Sequence, residues 1–317
     1  MISRRNAALA VAGVLAALVT TACGGGGSAA PSPSPSSAPP TSRATTSPAP
    51  ARPAVAIPTC GPVKVPPLDA ANFPDSTNID NKWFPLVPGT QFVMEGRANR
   101  DGGVLPHQIV STVTDLTKVI NGVPTVVIWE VDRDNGTLAE SELSFFAQDR
   151  DGNVWNFGQY PELYTNGNFT GAPKTWFAGL SRADAGVLVR GGPQLGSTEY
   201  LQGVAPDVEF LDCAKNVKTA ERTCVPTNCY DGVAVVDERS GDDPSSGIQR
   251  KYYAPGVGGV RVEAVGDPED ETLVLAKLVT PNPDTVAAAR QAALDLEKHA
   301  YQVSAVYRAT PPVTPRR

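Results

Sequence analysis

Between Ser144 and Gly158 the chain reads S-F-F-A-Q-D-R-D-G-N-V-W-N-F-G, and no other stretch restricts the fold as tightly. Strand-forming residues flank a polar punctuation, Asp149-Arg150-Asp151-Gly152-Asn153, in which Gly152 and Asn153 can take the positive φ of a tight hairpin. Trp155 and Phe157 alternate on the return strand as Phe146 and Gln148 do on the outgoing one, so one face is built for burial. The same logic recurs along the chain. Strands are expected over 91–98, 108–114, 124–132 and 138–148, with turns at Asn121-Gly122 and Asp134-Asn135-Gly136. Further strands fall at 199–201, 208–215, 230–238, 249–254, 260–265 and 272–279, the last of them reading as an antiparallel meander. The continuous apolar run Val126-Val127-Ile128-Trp129 predicts a strand covered on both faces.

One helix closes the pattern. Asn282 can cap it, Pro283 suits its first position, and Val286, Ala289, Ala293, Leu296, Ala300 and Val303 form an apolar stripe, with Arg290, Gln291, Glu297 and Lys298 opposite. The fold expected is mainly β: a single domain built on a curved antiparallel sheet, meander or half-barrel-like, with one C-terminal α-helix. It should span residues 59–307, leaving 308–317 as a disordered tail.

Before the domain come two segments of another kind. Residues 1–22 carry Arg4 and Arg5, then an apolar run from Ala7 to Val19 too short to span a membrane, which needs about 20 apolar residues. They end Thr20-Thr21-Ala22 before Cys23, the pattern of a lipoprotein signal with Cys23 as the lipid-attachment residue. Residues 23–58 are rich in Gly, Pro, Ser and Thr and read as a lipid-anchored disordered tether. The expected location is therefore extracytoplasmic, on the outer face of the cell membrane.

Loss of the signal leaves 25 basic against 33 acidic residues, since only Arg4 and Arg5 go with it. An acidic chain without a basic cluster is a poor partner for nucleic acid, and acyl chains rather than charge must hold it to a membrane. The four remaining cysteines suit two disulfides. Cys224 and Cys229 bracket a plausible turn and could clip a hairpin, which would join Cys60 to Cys213; the other two connectivities stay open. Zinc fits poorly, because no second close cysteine pair exists and the chain has two histidines.

Chemistry-bearing motifs are few. No nucleophile elbow, phosphate loop, dinucleotide fingerprint or H-E-x-x-H occurs, and no cofactor or metal is implied. Asp149–Asn153 looks superficially like a calcium loop, but Gly152 stands at the fourth position and no Glu follows at the twelfth. His107 and His299 have no recognisable nucleophile nearby in sequence. Glu140 and Glu142, two apart on one strand face, could serve as a carboxylate pair, although a solvent-facing strand explains them as well. Residues 159–196 show neither helical nor strand period and read as a long loop. With Trp155 on the hairpin before it, Tyr160, Tyr164 and Trp176 are the candidate ligand-binding residues.

Three blocks carry a resemblance: Asn81-Lys82-Trp83-Phe84-Pro85-Leu86-Val87-Pro88-Gly89-Thr90, then Ala147-Gln148-Asp149 with Asp151-Gly152-Asn153-Val154-Trp155, and Tyr252-Tyr253-Ala254-Pro255-Gly256-Val257-Gly258. In this order they resemble a set of uncharacterised actinobacterial secreted proteins and lipoproteins. The resemblance implies a fold and a location and brings no activity. The leading expectation is a non-enzymatic cell-envelope lipoprotein that binds an apolar or glycan ligand or an envelope partner. The alternative is a hydrolase of envelope polysaccharide or lipid working through Glu140 and Glu142.

Overall fold

The computed structural model describes Cys60 and residues 68–100, 103–241 and 243–316; the signal, Cys23 and the tether lie outside the described residues. Period-2 alternation and paired turns produce long antiparallel strands. The first five are β1 (Gln91–Arg100), β2 (Gly103–Ile120), β3 (Val123–Asp134), β4 (Thr137–Gln148) and β5 (Val154–Thr165). Three short ones follow, β6 (Asn168–Gly171), β7 (Trp176–Phe177) and β8 (Asp184–Val189). Then come β9 (Tyr200–Ala205), β10 (Phe210–Val225), β11 (Asn228–Ser240), β12 (Ile248–Ala254), β13 (Gly258–Val265) and β14 (Thr272–Val279).

The expected curved sheet is present, and it closes. β1 pairs with β2 along its length and with β14 on its other edge, so twelve strands run in a ring from β1 through β14–β8, β5, β4 and β3 back to β2. Closure removes the unpaired edges that an open sheet would expose. The tight turns use the residues that tolerate positive φ, as at Asn121-Gly122 (47° and 81°) and Asn135-Gly136 (48° and 78°). In the organising hairpin only Gly152 of the expected pair is left-handed, at 78°. Asp149 shapes the rest of that turn: its carboxylate accepts from the backbone N–H of Asp151 and Asn153 and from Trp155 Nε1, at 2.9, 2.8 and 2.7 Å.

Two apolar cores lie on the two sides of the sheet. Inside the ring pack Phe92, Met94, Val113, Val126, Ile128, Phe146, Val235, Val260, Val262, Leu273 and Leu275. Outside, Leu116, Val127, Leu143, Phe145, Trp155, Phe157 and Tyr160 are covered by α1 (Pro283–Val303) and α2 (Ala305–Arg308) through Ala293, Leu296, Ala300 and Tyr307. The Asn282 side chain caps α1 by accepting from Thr285 N at 2.9 Å.

Three expectations need correction. Val303 is exposed, whereas Glu297, one residue past Leu296 on the covered side, is buried beneath the helix. Residues 159–196 are not a long loop: β5 runs on to Thr165 and β6, β7 and β8 all pair with it. Their glycines break the strands into pieces too short to show a period. Nor are residues 308–316 a tail, since Val313 is buried and β15 (Thr314–Pro315) pairs with β2 where β1 has left it. Too short for a pattern of their own, they are held by that vacant strand edge.

The irregular segment 79–90 plugs one end of the ring. Ile79 and Leu86 enter the inner core, and Phe84 sets its ring edge-on to Phe146 and Tyr253 at centroid distances of 5.8 and 6.1 Å. Lys82 O accepts from Gly256 N at 2.7 Å. The three sequence blocks quoted above therefore meet in space.

Candidate functional site

The far end of the ring, where β1 ends and β2 begins, is lined differently. On β3, Glu130, Asp132 and Asp134 continue the inward-facing series begun by Val126 and Ile128; on β4, Glu140, Glu142 and Ser144 lead into inward-facing Phe146. Register sets Glu130 opposite Glu142 and Asp132 opposite Glu140. Glu140 and Glu142 are 7% and 2% exposed, so the solvent-facing reading of this strand is wrong. Its outward face is apolar because the helix covers it, and the polar face turns inward.

His107 sits among these carboxylates. Its Nδ1 is 2.7 Å from Asp134 Oδ1 and 3.4 Å from Asp132 Oδ1, and its Nε2 is 3.4 Å from Glu271 Oε2. Burial by itself pulls the imidazole pKa down, but Asp134, Glu271 and Asp132 outweigh it and hold the pKa up at about 9. Arg100 adds a second cation, donating to Asp134 at 3.1 Å and Glu269 at 3.0 Å. Farther round the ring, Glu238 accepts from Gln202 at 2.9 Å and Tyr253 at 3.2 Å and pairs with Lys251 at 2.5 Å. Gln249 joins this group to the first by donating to Glu271 at 3.1 Å.

Glu142 is the most perturbed carboxyl here. Burial raises its pKa well above the usual range, and the charges of Glu140 and Glu130 add to the effect against a hydrogen bond from Ser144. A buried carboxyl whose pKa is raised among other carboxyls is a feature that acid–base hydrolases use. A sugar or acyl chain would need a pocket of some 300 Å³ or more. The apolar cavity beside Phe84, Leu86, Met94, Ile128 and Tyr253 measures about 40 Å³, room for one water molecule. A second, of about 270 Å³, borders Pro106, His107, Gln108 and Arg133 and is lined by neither Glu140 nor Glu142.

The aromatic candidates are packing residues. Trp155 and Tyr160 belong to the outer core and Trp176 to the inner one, and all three are buried. The strands that stand in place of the expected loop enclose Tyr160 and Trp176, and Trp155, on the hairpin before them, packs in the outer core. Tyr164 is half-buried. Tyr160 and Tyr164 both donate to the buried carboxylate of Glu162, at 2.5 and 2.6 Å, and His299 Nδ1 lies 2.6 Å from it. Burial, reinforced by Glu162, raises the pKa of both phenols. Disulfides join Cys60 to Cys213 and Cys224 to Cys229, with Cα separations of 5.3 and 3.9 Å.

Most of the acidic end escapes a reading of the sequence. The signal available is the period-2 placement of Glu130, Asp132 and Asp134 directly after the doubly buried run 126–129, since such a strand keeps the same faces to its end.

Fold and site together define a closed, helix-backed antiparallel barrel with a plugged apolar end and a buried acidic end. No family model matches the chain, and no curated protein does. Two solved structures align with it. One is a proposed exported protein of YmcC-like fold from Bacteroides fragilis, 14% identical with a TM-score of 0.36, over 63% of this chain and 100% of the other. The second is a proposed lipoprotein from Parabacteroides distasonis, 18% identical with a TM-score of 0.30, over 63% and 99%. Likenesses this distant carry no argument about what this chain does.

Proposed function

We propose that the chain is an exported cell-envelope lipoprotein, anchored through Cys23, whose barrel is a non-enzymatic interaction module belonging with the secreted proteins that share its three blocks. The observation that carries this reading is the packing inside the ring. Among the described residues, side chains from both halves of the ring meet there, and the cavity beside Phe84 and Tyr253, at about 40 Å³, cannot take an acyl chain or a sugar. A solid barrel offers partners its outer surface, so an envelope macromolecule suits it better than an enclosed ligand.

Two measurements on protein made in a bacterial host test this. Cys23→Ser should abolish lipid labelling and release the protein from the membrane fraction, because the acyl-transfer reaction needs a thiol. Native mass spectrometry of the released protein should show the bare polypeptide. Unchanged membrane partitioning overturns the anchor, and a stoichiometric co-purified lipid or glycan overturns the solid-barrel reading.

A further inference from the structure

We propose that His107, Asp132 and Asp134 form a binding site for one divalent transition-metal cation at the acidic end of the barrel. His107 is 25 and 27 positions from the two aspartates in sequence, but the β2–β3 register sets His107 against Asp134 and Ile109 against Asp132. One nitrogen and two carboxylate oxygens come to lie within 4.8 Å of one another. Ligands at about 2.0–2.1 Å from a tetrahedral ion stand about 3.3–3.4 Å apart. The 3.4 Å between Nδ1 and Asp132 Oδ1 already has that length, and the 2.7 Å to Asp134 Oδ1 needs to open by about 0.6 Å.

The groups behind the ligands are arranged as a metal site requires. Nε2 of the fully enclosed His107 side chain lies 3.4 Å from Glu271 Oε2, which can hold the ring proton on that side, so that an ion displacing the Nδ1 proton meets the Nδ1 lone pair beside the aspartates. Arg100 Nε donates to Asp134 Oδ2, leaving Oδ1 toward the imidazole. Two neighbouring strands of a closed sheet hold all three ligands, which limits their drift. Imidazole with two carboxylates suits zinc, manganese or iron rather than calcium or magnesium, which take oxygen ligands. The inference is independent of the anchor and of the solid-barrel reading.

The test uses the full mature chain, stripped with a chelator and titrated with Zn²⁺ alone by calorimetry while the ring ¹⁵N resonances of its histidines are followed. The chain has two histidines, so the unsubstituted protein reports which one responds. One saturable ion per chain is expected, shifting His107 and leaving His299 in place, with Ca²⁺ failing to compete. Asp132→Asn should weaken binding more than about tenfold while melting cooperatively. Absence of saturable binding, a shift confined to His299, equal affinity for Ca²⁺, or undiminished binding by folded Asp132→Asn each overturns the site. If Asp132→Asn does not fold, the ring resonances of the unsubstituted protein decide alone.

Discussion

Asn81 Nδ2 donates to the carbonyl oxygen of Gly152 at 2.7 Å, fastening the plug of the barrel to the turn of its central hairpin. The same amide donates to Arg190 O at 3.3 Å, while its oxygen accepts from Trp83 N and Phe84 N and its backbone N–H donates to Gln148. One buried side chain thus satisfies backbone groups from three separate segments. Asn81→Ala should cost about 3 kcal/mol, because several buried groups lose their partners at once. Asn81→Asp should be no better, since it sets a carboxylate against two carbonyl oxygens. Urea unfolding of both variants checks this, and a loss under about 1 kcal/mol for either would show that the plug is held elsewhere.

A second junction fixes the helix. Lys118 Nζ, fully enclosed, lies 3.1 Å from Glu297 Oε1 and 4.2 Å from the centre of the Tyr307 ring. Glu297 also accepts from Tyr307 OH at 3.0 Å and Val313 N at 3.1 Å. Burial lowers the lysine pKa and Glu297 opposes that shift. Lys118→Met alone should cost about 3–5 kcal/mol by stranding a buried carboxylate, and adding Glu297→Gln should recover part of the loss. The double-mutant cycle measures the coupling; strictly additive losses would mean the pair is not a unit.

Glu142 gives the barrel a pH dependence of known sign. Its carboxyl is raised in the folded state by burial and by Glu140 and Glu130, so above the ordinary glutamate pKa the folded chain holds a proton that the unfolded chain has released. Stability from this group is complete below that pKa and falls as pH rises above it. Glu142→Gln keeps an oxygen for the Ser144 hydrogen bond and removes the titration. The variant should match the natural chain near pH 4 and exceed its stability at pH 7. Equal stability at both values would place the carboxyl in a more solvated setting.

How much of this was legible follows from which signals are local. Turns such as Asn121-Gly122 and alternating strands are written within a few residues, and the cap at Asn282 within four. Ring closure is not, because β1 meets β14 across most of the domain and nothing near Gln91 names Val279 as its partner. Glu140 and Glu142 were legible as one strand face but not as an inward one. Leu143 and Phe145 make the strand look half-exposed, and only the helix arriving from residues 283–303 shows which face is outside. The pairing of Tyr160, Tyr164 and His299 on Glu162 depends on that same helix.

The two disulfides should differ in what they hold. Cys60–Cys213 spans 153 residues and pins the start of the domain beside Leu201, Val204 and Leu211. Closing so long a loop is worth roughly 4–5 kcal/mol on the chain-entropy model, so Cys60→Ser/Cys213→Ser should fall measurably in urea midpoint. Cys224–Cys229 spans five residues at the end of the β10–β11 hairpin, where neighbouring residues are largely exposed. A loop that short removes little unfolded-state entropy, and Cys224→Ser/Cys229→Ser should cost about 1–2 kcal/mol. Its effect should be local, freeing the hairpin end, where Arg261 donates to Cys224 O at 2.7 Å. Hydrogen exchange separates the two: the first variant should lose protection around Leu201 and Leu211, the second only in the hairpin end. The reverse ranking of stability losses would mean that the long loop is already held closed by packing in the unfolded ensemble.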